Sequence, residues 1–272
     1  IKTLGRLIDK MAVILPLEAA IYREAGIPCE FVGHPVFDEI RDMVNVSGFG
    51  IQDIGNDRLK TAMKKQLGIP ADKKVLTLMP GSRRHEVETL MPVISEVMQE
   101  AGVLYPDCAF SIPLAPNLDA SSLADIRNIS DNFGEKVFFT DNAVTTLLAS
   151  NAAVIASGTS TFQAAMLGTP AVVIYKVSPL TYFMLKPFVK VDYISLANII
   201  LKKSVRDNSG LRIKELMQKE VNTANVMTEL RHIMENEEYR TDMLKEFGKI
   251  RELFASKHAS MRVAQIAKEL AG

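Results

Sequence analysis

The sequence predicts an α/β fold: one complete doubly wound, Rossmann-like domain preceded by the end of a second α/β unit. Three observations predict it. Short apolar runs rich in β-branched residues alternate with amphipathic helical segments along most of the chain. The runs are almost continuously apolar, which suits parallel strands covered on both faces. Two of them end in small polar turns that lead directly into helices, the arrangement that places ligands at the C-terminal edge of a parallel sheet.

Taken in order, residues 11–16 (MAVILP) read as a strand, 18–25 as a helix and 29–33 (CEFVG) as a strand. Residues 44–57 carry glycine and aspartate with little hydrophobic periodicity and read as linker or loop. A helix over 58–67 stops at Gly68. Strands then follow at 74–79 (KVLTLM), 109–114, 137–140, 152–156 (AAVIA) and 171–175 (AVVIY), separated by helices at 86–101, 121–128, 143–150 and 161–167. Such a series implies right-handed βαβ crossovers. The last sixty or so residues read as mostly helical. The expected division is a remnant unit with linker over 1–56, a nucleotide-binding domain over 57–240, and C-terminal helices over 241–272 that pack back on the first unit. The chain opens at Ile1 almost directly into a strand, which reads as a start inside a unit rather than before one.

Composition narrows the function classes. The chain has 272 residues, 47% apolar and 24% charged, enough to bury an ordinary core. Thirty-two basic residues balance 32 acidic ones, so there is no global field to attract nucleic acid, and an anion site must be local. Cys29 and Cys108 lie in separate runs, and His34, His85, His232 and His258 are scattered, so neither a disulfide framework nor a metal motif is expected. A reducing compartment fits. No apolar run spans a bilayer: the stretch from 144 to 175 is interrupted by Ser150, Asn151, Ser157, Gly158 and Gln163.

The sharpest local feature is strand, then Pro80-Gly81-Ser82-Arg83-Arg84-His85-Glu86, then helix. Glycine permits a tight turn, the helix start presents unpaired N–H groups, and Arg83 adds a planar cation suited to phosphate oxygens. Ser82 is expected to cap the helix with Glu86 completing the arrangement. A diphosphate cradle and a well-capped helix with solvated arginines explain this turn equally well. The second feature, Ser157-Gly158-Thr159-Ser160 followed by Gln163, repeats the pattern after another strand. An ordinary helix start would also satisfy it, but two such turns in one parallel sheet point to a shared ligand. Asn198 is a polar residue inside the apolar run 193–200 and reads first as a satisfied buried amide, with ligand binding as the alternative. In the stripe from 179 to 191, Tyr182, Phe183 and Phe188 stand beside Lys186 and Lys190. Packing ranks ahead of a membrane contact there.

Several short motifs in series are similar to the lipid-A-disaccharide synthase family: Ile14-Leu15-Pro16 with Glu18; Val32-Gly33-His34-Pro35 with Asp38; Leu78 through Arg83 with Glu86-Val87-Glu88; Ala156-Ser157-Gly158-Thr159; Gly168-Thr169-Pro170; Val191 through Leu196 with Asn198; and Glu215-Leu216-Met217-Gln218. The resemblance implies a two-domain glycosyltransferase of the GT-B type that lacks the first part of its N-terminal, acceptor-side domain. It implies inverting, metal-independent transfer without a cofactor, from UDP-2,3-diacylglucosamine to 2,3-diacylglucosamine 1-phosphate (lipid X), in lipid A biosynthesis. It implies that Arg83 meets the donor phosphates, that Gly81, Ser82, Gly158, Thr159 and Ser160 belong to the donor turns, and that Asn198 and Gln218 are functional amides. The family's aspartate base would precede Ile1, so no catalytic base is assigned, and the fragment alone is expected to be inactive. Gln163 stands where the family usually has glutamate, and Ala197 where it usually has proline. A cytoplasmic location is implied, with peripheral attachment to the inner membrane and a homodimer as further expectations. The rival readings are another GT-B UDP-sugar transferase or epimerase, and a non-catalytic UDP-binding fragment.

Overall fold

The computed structural model describes residues 3–177, 193–204 and 212–271. Residues 178–192, which contain the aromatic and basic stripe with Tyr182, Phe183, Lys186, Phe188 and Lys190, lie outside the described residues.

The N-terminal unit is small. Strands β1 (Met11–Val13) and β2 (Cys29–Phe31) pair in parallel, Met11 opposite Cys29, and helix α1 (Pro16–Glu24) joins them. The strand expected over 11–16 stops at Val13. Pro16 has no N–H to offer a ladder and takes the first helical position instead, while Glu18 accepts the Leu15 N–H at 3.1 Å. A second helix, α2 (Pro35–Val46), occupies residues for which the sequence predicts no element and takes in the start of the expected loop. Pro35 starts it, His34 Nδ1 accepts the Val36 N–H at 3.2 Å, and Phe37, Ile40 and Val44 form one buried stripe. Only after Val46 does irregular chain follow, with one 3₁₀ turn at Ile51–Asp53.

The larger unit opens with α3 (Asp57–Gln66), whose N-cap Asn56 accepts the Arg58 N–H. A six-stranded parallel sheet follows: β3 (Lys74–Met79), β4 (Cys108–Pro113), β5 (Val137–Thr140), β6 (Ala152–Ala156), β7 (Ala171–Tyr175) and β8 (Lys214–Met217). Their order across the sheet is β5-β4-β3-β6-β7-β8. Helices α4 (Arg84–Leu104), α5 (Ala120–Ser130), α6 (Ala143–Ala149) and α7 (Thr159–Met166) make the crossovers. Strands β4, β6 and β7 are buried along nearly their whole length, as their continuous apolar runs require. Strand β8 and the helix before it, α8 (Leu196–Ser204), were not expected. Lys-Glu-Leu-Met carries no β-branched residue, and its pairing with β7, Tyr175 opposite Met217, makes it a strand.

Three helices close the chain: α9 (Thr223–Glu235), α10 (Glu237–Ala255) and α11 (Ala259–Ala271). Helix α10 is continuous through the boundary expected at 240–241. Its Phe254, fully buried, packs edge-on against Phe31 and Phe162 and beside Phe37, so four rings join the N-terminal unit, α7 and the C-terminal helices. Helix α11 lies against α2 and is held by Arg262 on Glu30 at 2.5 Å and by the Ser260 N–H on Asp38 at 2.9 Å. Arg41 reaches the carbonyls of Ala255 and Lys257.

Candidate functional site

Strand order decides where a ligand can enter. From β3 the chain moves outward to β4 on one side, and from β6 it moves outward to β7 on the other. Strands β3 and β6 are neighbours, Met79 opposite Ile155, so the crossovers diverge there and leave a crevice at the strands' C-terminal ends. Both polar turns singled out in the sequence open into it.

After β3, Gly81 adopts φ +114°, a conformation that side chains resist. The turn is closed differently from the expectation. Arg83, not Ser82, occupies the N-cap position of α4, with extended backbone and no side-chain cap. Closure comes from Glu86, which accepts the Ser82 N–H at 2.9 Å and pairs with Arg83 Nη1 at 3.2 Å. Glu86 fills the space beside Gly81: a Cβ on that glycine would stand 2.4 Å from Glu86 Oε2. A carboxylate of the chain itself therefore sits where the N–H groups and guanidinium of this turn would meet an anion. The Arg83 side chain is 82% exposed, whereas Arg84 turns to Glu88 at 2.6 Å.

After β6, Gly158 caps α7 in extended backbone, and among the described residues no side chain bonds the first-turn N–H groups. The Thr161 hydroxyl donates to the Gly158 carbonyl at 2.8 Å. The helix start is therefore open to an acceptor from outside. Gly81, Ser82, Arg83 and Glu86 from one turn, and Ser157, Gly158, Thr159 and Ser160 from the other, line one cavity of about 340 Å³. Pro113 at the end of β4, residues 114–116 after it and Asp141 after β5 also line it. A larger cavity of about 450 Å³, lined in part by Lys60, Lys74, Asn151, Thr169 and Arg240, opens at the other end of the sheet. It meets the strands' N-terminal ends, away from the crevice, so the smaller cavity is the candidate site.

The remaining residues proposed for ligand contact lie elsewhere. Gln163 is half-buried on α7, outside the cavity wall. Asn198 is fully buried, and its amide is spent on the protein. Its Nδ2 donates to Ile213 O at 2.8 Å and to Glu215 at 2.7 Å, and its Oδ1 accepts from Ile213 N at 3.0 Å. These contacts are those of a satisfied buried amide, with both Nδ2 hydrogens and one Oδ1 lone pair engaged among the described residues. Gln218 takes a positive φ of 52° at the end of β8. With its amide turned to satisfy both atoms, it donates to Val177 O at 3.1 Å and accepts from Val177 N at 3.2 Å, tying β8 to the chain beyond β7. Sequence reasoning missed Asp141 in the wall, although a carboxylate directly after an expected strand was the available signal. It also missed Glu215, whose role depends on a strand that the sequence did not reveal.

The profile of the family described as lipid-A-disaccharide synthetase matches residues 1–268. The lipid-A-disaccharide synthase of Geobacter sulfurreducens is 33% identical over 273 residues, covering 100% of this chain and 65% of that protein. The synthase of Trichlorobacter lovleyi is 34% identical over 265 residues, covering 97% and 63%. The chain thus spans just under two thirds of the length of these relatives. Among solved structures, a UDP-GlcNAc 2-epimerase from Neisseria meningitidis bound to UDP-GlcNAc superposes with a TM-score of 0.59 at 18% identity, over 97% of this chain and 62% of that one. The wall teichoic acid polymerase TagF gives 0.52 at 13% identity, over 99% and 58%. These two likenesses concern the fold, which is that of the GT-B glycosyltransferases. With that fold and a profile match running almost from end to end, the chain belongs to the lipid-A-disaccharide synthase family.

Proposed function

We propose that this chain carries the donor-binding part of an enzyme that joins UDP-2,3-diacylglucosamine to 2,3-diacylglucosamine 1-phosphate, releasing UDP. The observation that carries the proposal is the pair of turns at the β3–β6 divergence, one bearing Arg83 and the other an uncapped helix start, around one cavity. In the reaction the acceptor hydroxyl attacks the anomeric carbon, its proton passes to a base, and the bond from that carbon to the diphosphate oxygen breaks. Charge accumulates on the departing diphosphate. We assign Arg83 and the first-turn N–H groups of α7 to hold it, the backbone donors being oriented before the charge develops. Gly81, Ser82, Gly158, Thr159 and Ser160 let the backbone approach the phosphates. Glu86 must yield its two partners as the diphosphate arrives. Gln163 is assigned to the ribose side of the donor; Asn198 and Gln218, donor-site amides by the family resemblance, are held on Ile213 and Glu215 and on Val177.

The proposed substrates are acylated, so the enzyme meets a lipid surface at the cytoplasmic face of the inner membrane. No described helix is long and apolar enough to cross a membrane. We assign the surface contact to Tyr182, Phe183 and Phe188 with Lys186 and Lys190, and a homodimer is part of the same reading. Sedimentation with anionic vesicles tests the contact: replacing the three aromatic residues by serine should abolish co-sedimentation.

Calorimetric titration with UDP, followed by a radiolabelled transfer assay with the two acylated glucosamine substrates, tests the central proposal. Micromolar to low-millimolar UDP binding and disaccharide formation by the intact enzyme are expected. Turnover of a different UDP-sugar in place of the acylated donor would overturn the substrate assignment. UDP binding without any transfer would favour a non-catalytic nucleotide module.

A further inference from the structure

One carboxylate on the edge strand of the donor sheet collects donors from residues 194, 195 and 198. Glu215, on β8, accepts the Ile194 N–H at 2.7 Å on Oε2. Its Oε1 accepts the Ser195 N–H at 3.0 Å, the Ser195 hydroxyl at 2.6 Å and Asn198 Nδ2 at 2.7 Å. Ser195 Oγ also accepts the Asn198 N–H at 3.3 Å, and Asn198 is locked to Ile213 on both sides of its amide. Ser195 and Asn198 are fully buried. These residues form the start of α8, where N–H groups lack helical partners and a negative charge is favoured. Glu215 supplies both acceptor and charge from a neighbouring strand. Glutamine in its place would turn an NH₂ group toward other N–H donors, leaving buried groups unmet.

The consequence reaches the candidate site through Ile194. Its N–H is held by Glu215, and its carbonyl accepts the Ser157 hydroxyl at 3.4 Å. Ser157 lies in the cavity wall, in the turn that starts α7, and its own N–H is fixed on Ile174 O at 3.0 Å. Helix α8, started by this network, packs directly on α7. The loop that Glu215 organises therefore touches the donor turn at its first residue and backs the helix whose N-terminus faces the cavity.

We infer that Glu215 is a positioning residue for the donor site: by fixing residues 194–198 it sets the aim of the Ser157–Ser160 turn and of the α7 N-terminus at the donor diphosphate. This inference rests on the donor-site reading above, and the two can fail separately.

The test is calorimetric UDP titration of the unaltered chain, Glu215→Gln, Ser157→Ala and the double variant, at a temperature where thermal melting shows each to be folded. Glu215→Gln should raise the Kd for UDP about tenfold or more, the scale of one lost charge-assisted contact. In the double variant the loss should be smaller than the product of the single losses, because Ser157→Ala already cuts the link. If Glu215→Gln does not fold, Ser195→Ala, which removes only the hydroxyl from the network, should still weaken UDP several-fold. Unchanged UDP affinity in a folded Glu215→Gln or Ser195→Ala chain, with only the melting temperature lowered, would overturn the inference and leave the donor site intact. So would fully multiplicative losses in the double variant. Absence of UDP binding by the unaltered chain would overturn the donor-site reading and this inference with it.

Discussion

Gly81→Ala should damage stability and ligand binding together, through one side chain. Gly81 sits at φ +114°, where an L-residue costs about 1–3 kcal/mol. The added Cβ would stand 2.4 Å from Glu86 Oε2 and 2.6 Å from Glu86 Cβ, so Glu86 must move. Moving it breaks the Ser82 N–H contact at 2.9 Å and the Arg83 pair at 3.2 Å. Arg83 is 82% exposed, so loss of its ion pair adds at most about 0.5 kcal/mol. The backbone contact lies near the surface and falls in the ordinary hydrogen-bond range, about 1 kcal/mol. The sum is about 2–4.5 kcal/mol, to be read as the change in unfolding free energy in urea. Glu86→Ala in the same chain should recover part of the loss by removing the clash, while the φ strain remains. UDP affinity should stay low in both variants, because the turn can no longer bring its N–H groups to the ligand. A Gly81→Ala chain within about 0.5 kcal/mol of the parent and with normal UDP affinity would refute the reasoning, since ordinary surface changes fall in that range.

Three further outcomes are expected. Arg83→Ala should lower UDP affinity by about 1.5–3 kcal/mol, while Arg84→Ala, whose guanidinium is committed to Glu88, should change it by less than about 0.5 kcal/mol; equal losses in calorimetry would point to a diffuse basic patch. Phe254→Ala removes a fully buried ring at the junction of α10 with β2, α2 and α7 and should cost about 3–5 kcal/mol in urea unfolding, with a smaller effect marking a site able to collapse. Arg262, and Lys10 after it, hold the Glu30 carboxyl down to about 2 from an ordinary value of 4.5. Its folded value is the lower one, so its contribution is complete above about pH 4.5 and is lost as pH falls from there toward 2. Thermal melts across that window should show a steeper acid loss for the parent than for Arg262→Ala, and parallel curves would exclude the pair as a source of acid sensitivity.

Much of the fold was legible in the sequence because buried parallel strands must be apolar throughout. The runs 74–79, 152–156 and 171–175 coincide with β3, β6 and β7 at both ends, and the edge run 137–140 matches β5 without being buried. The two turns were legible for a related reason: glycine and small polar residues between a strand and a helix have few other uses. What the sequence concealed was structure imposed by partners. Strand β8 has no strand-like composition and exists because β7 offers an open edge. Helix α2 follows His-Pro, and its apolar stripe acquires meaning only against the four-ring cluster closed by Phe254, more than 200 residues away. Ser82 reads locally as the helix cap, but Glu86, held against a glycine with no Cβ, reaches the Ser82 N–H and sets the helix start one residue later.

The sequence by itself determined the fold class, most strands, the family, and the two turns that line the cavity. Only the tertiary structure decided that those turns meet. Their convergence depends on β3 and β6 lying side by side, a consequence of strand order, which local periodicity does not encode. Asn198 shows the same limit within one residue. An asparagine in an apolar run can serve a ligand or the protein, and it serves the protein here because Ile213 and Glu215, distant in sequence, arrive within 3 Å of its amide.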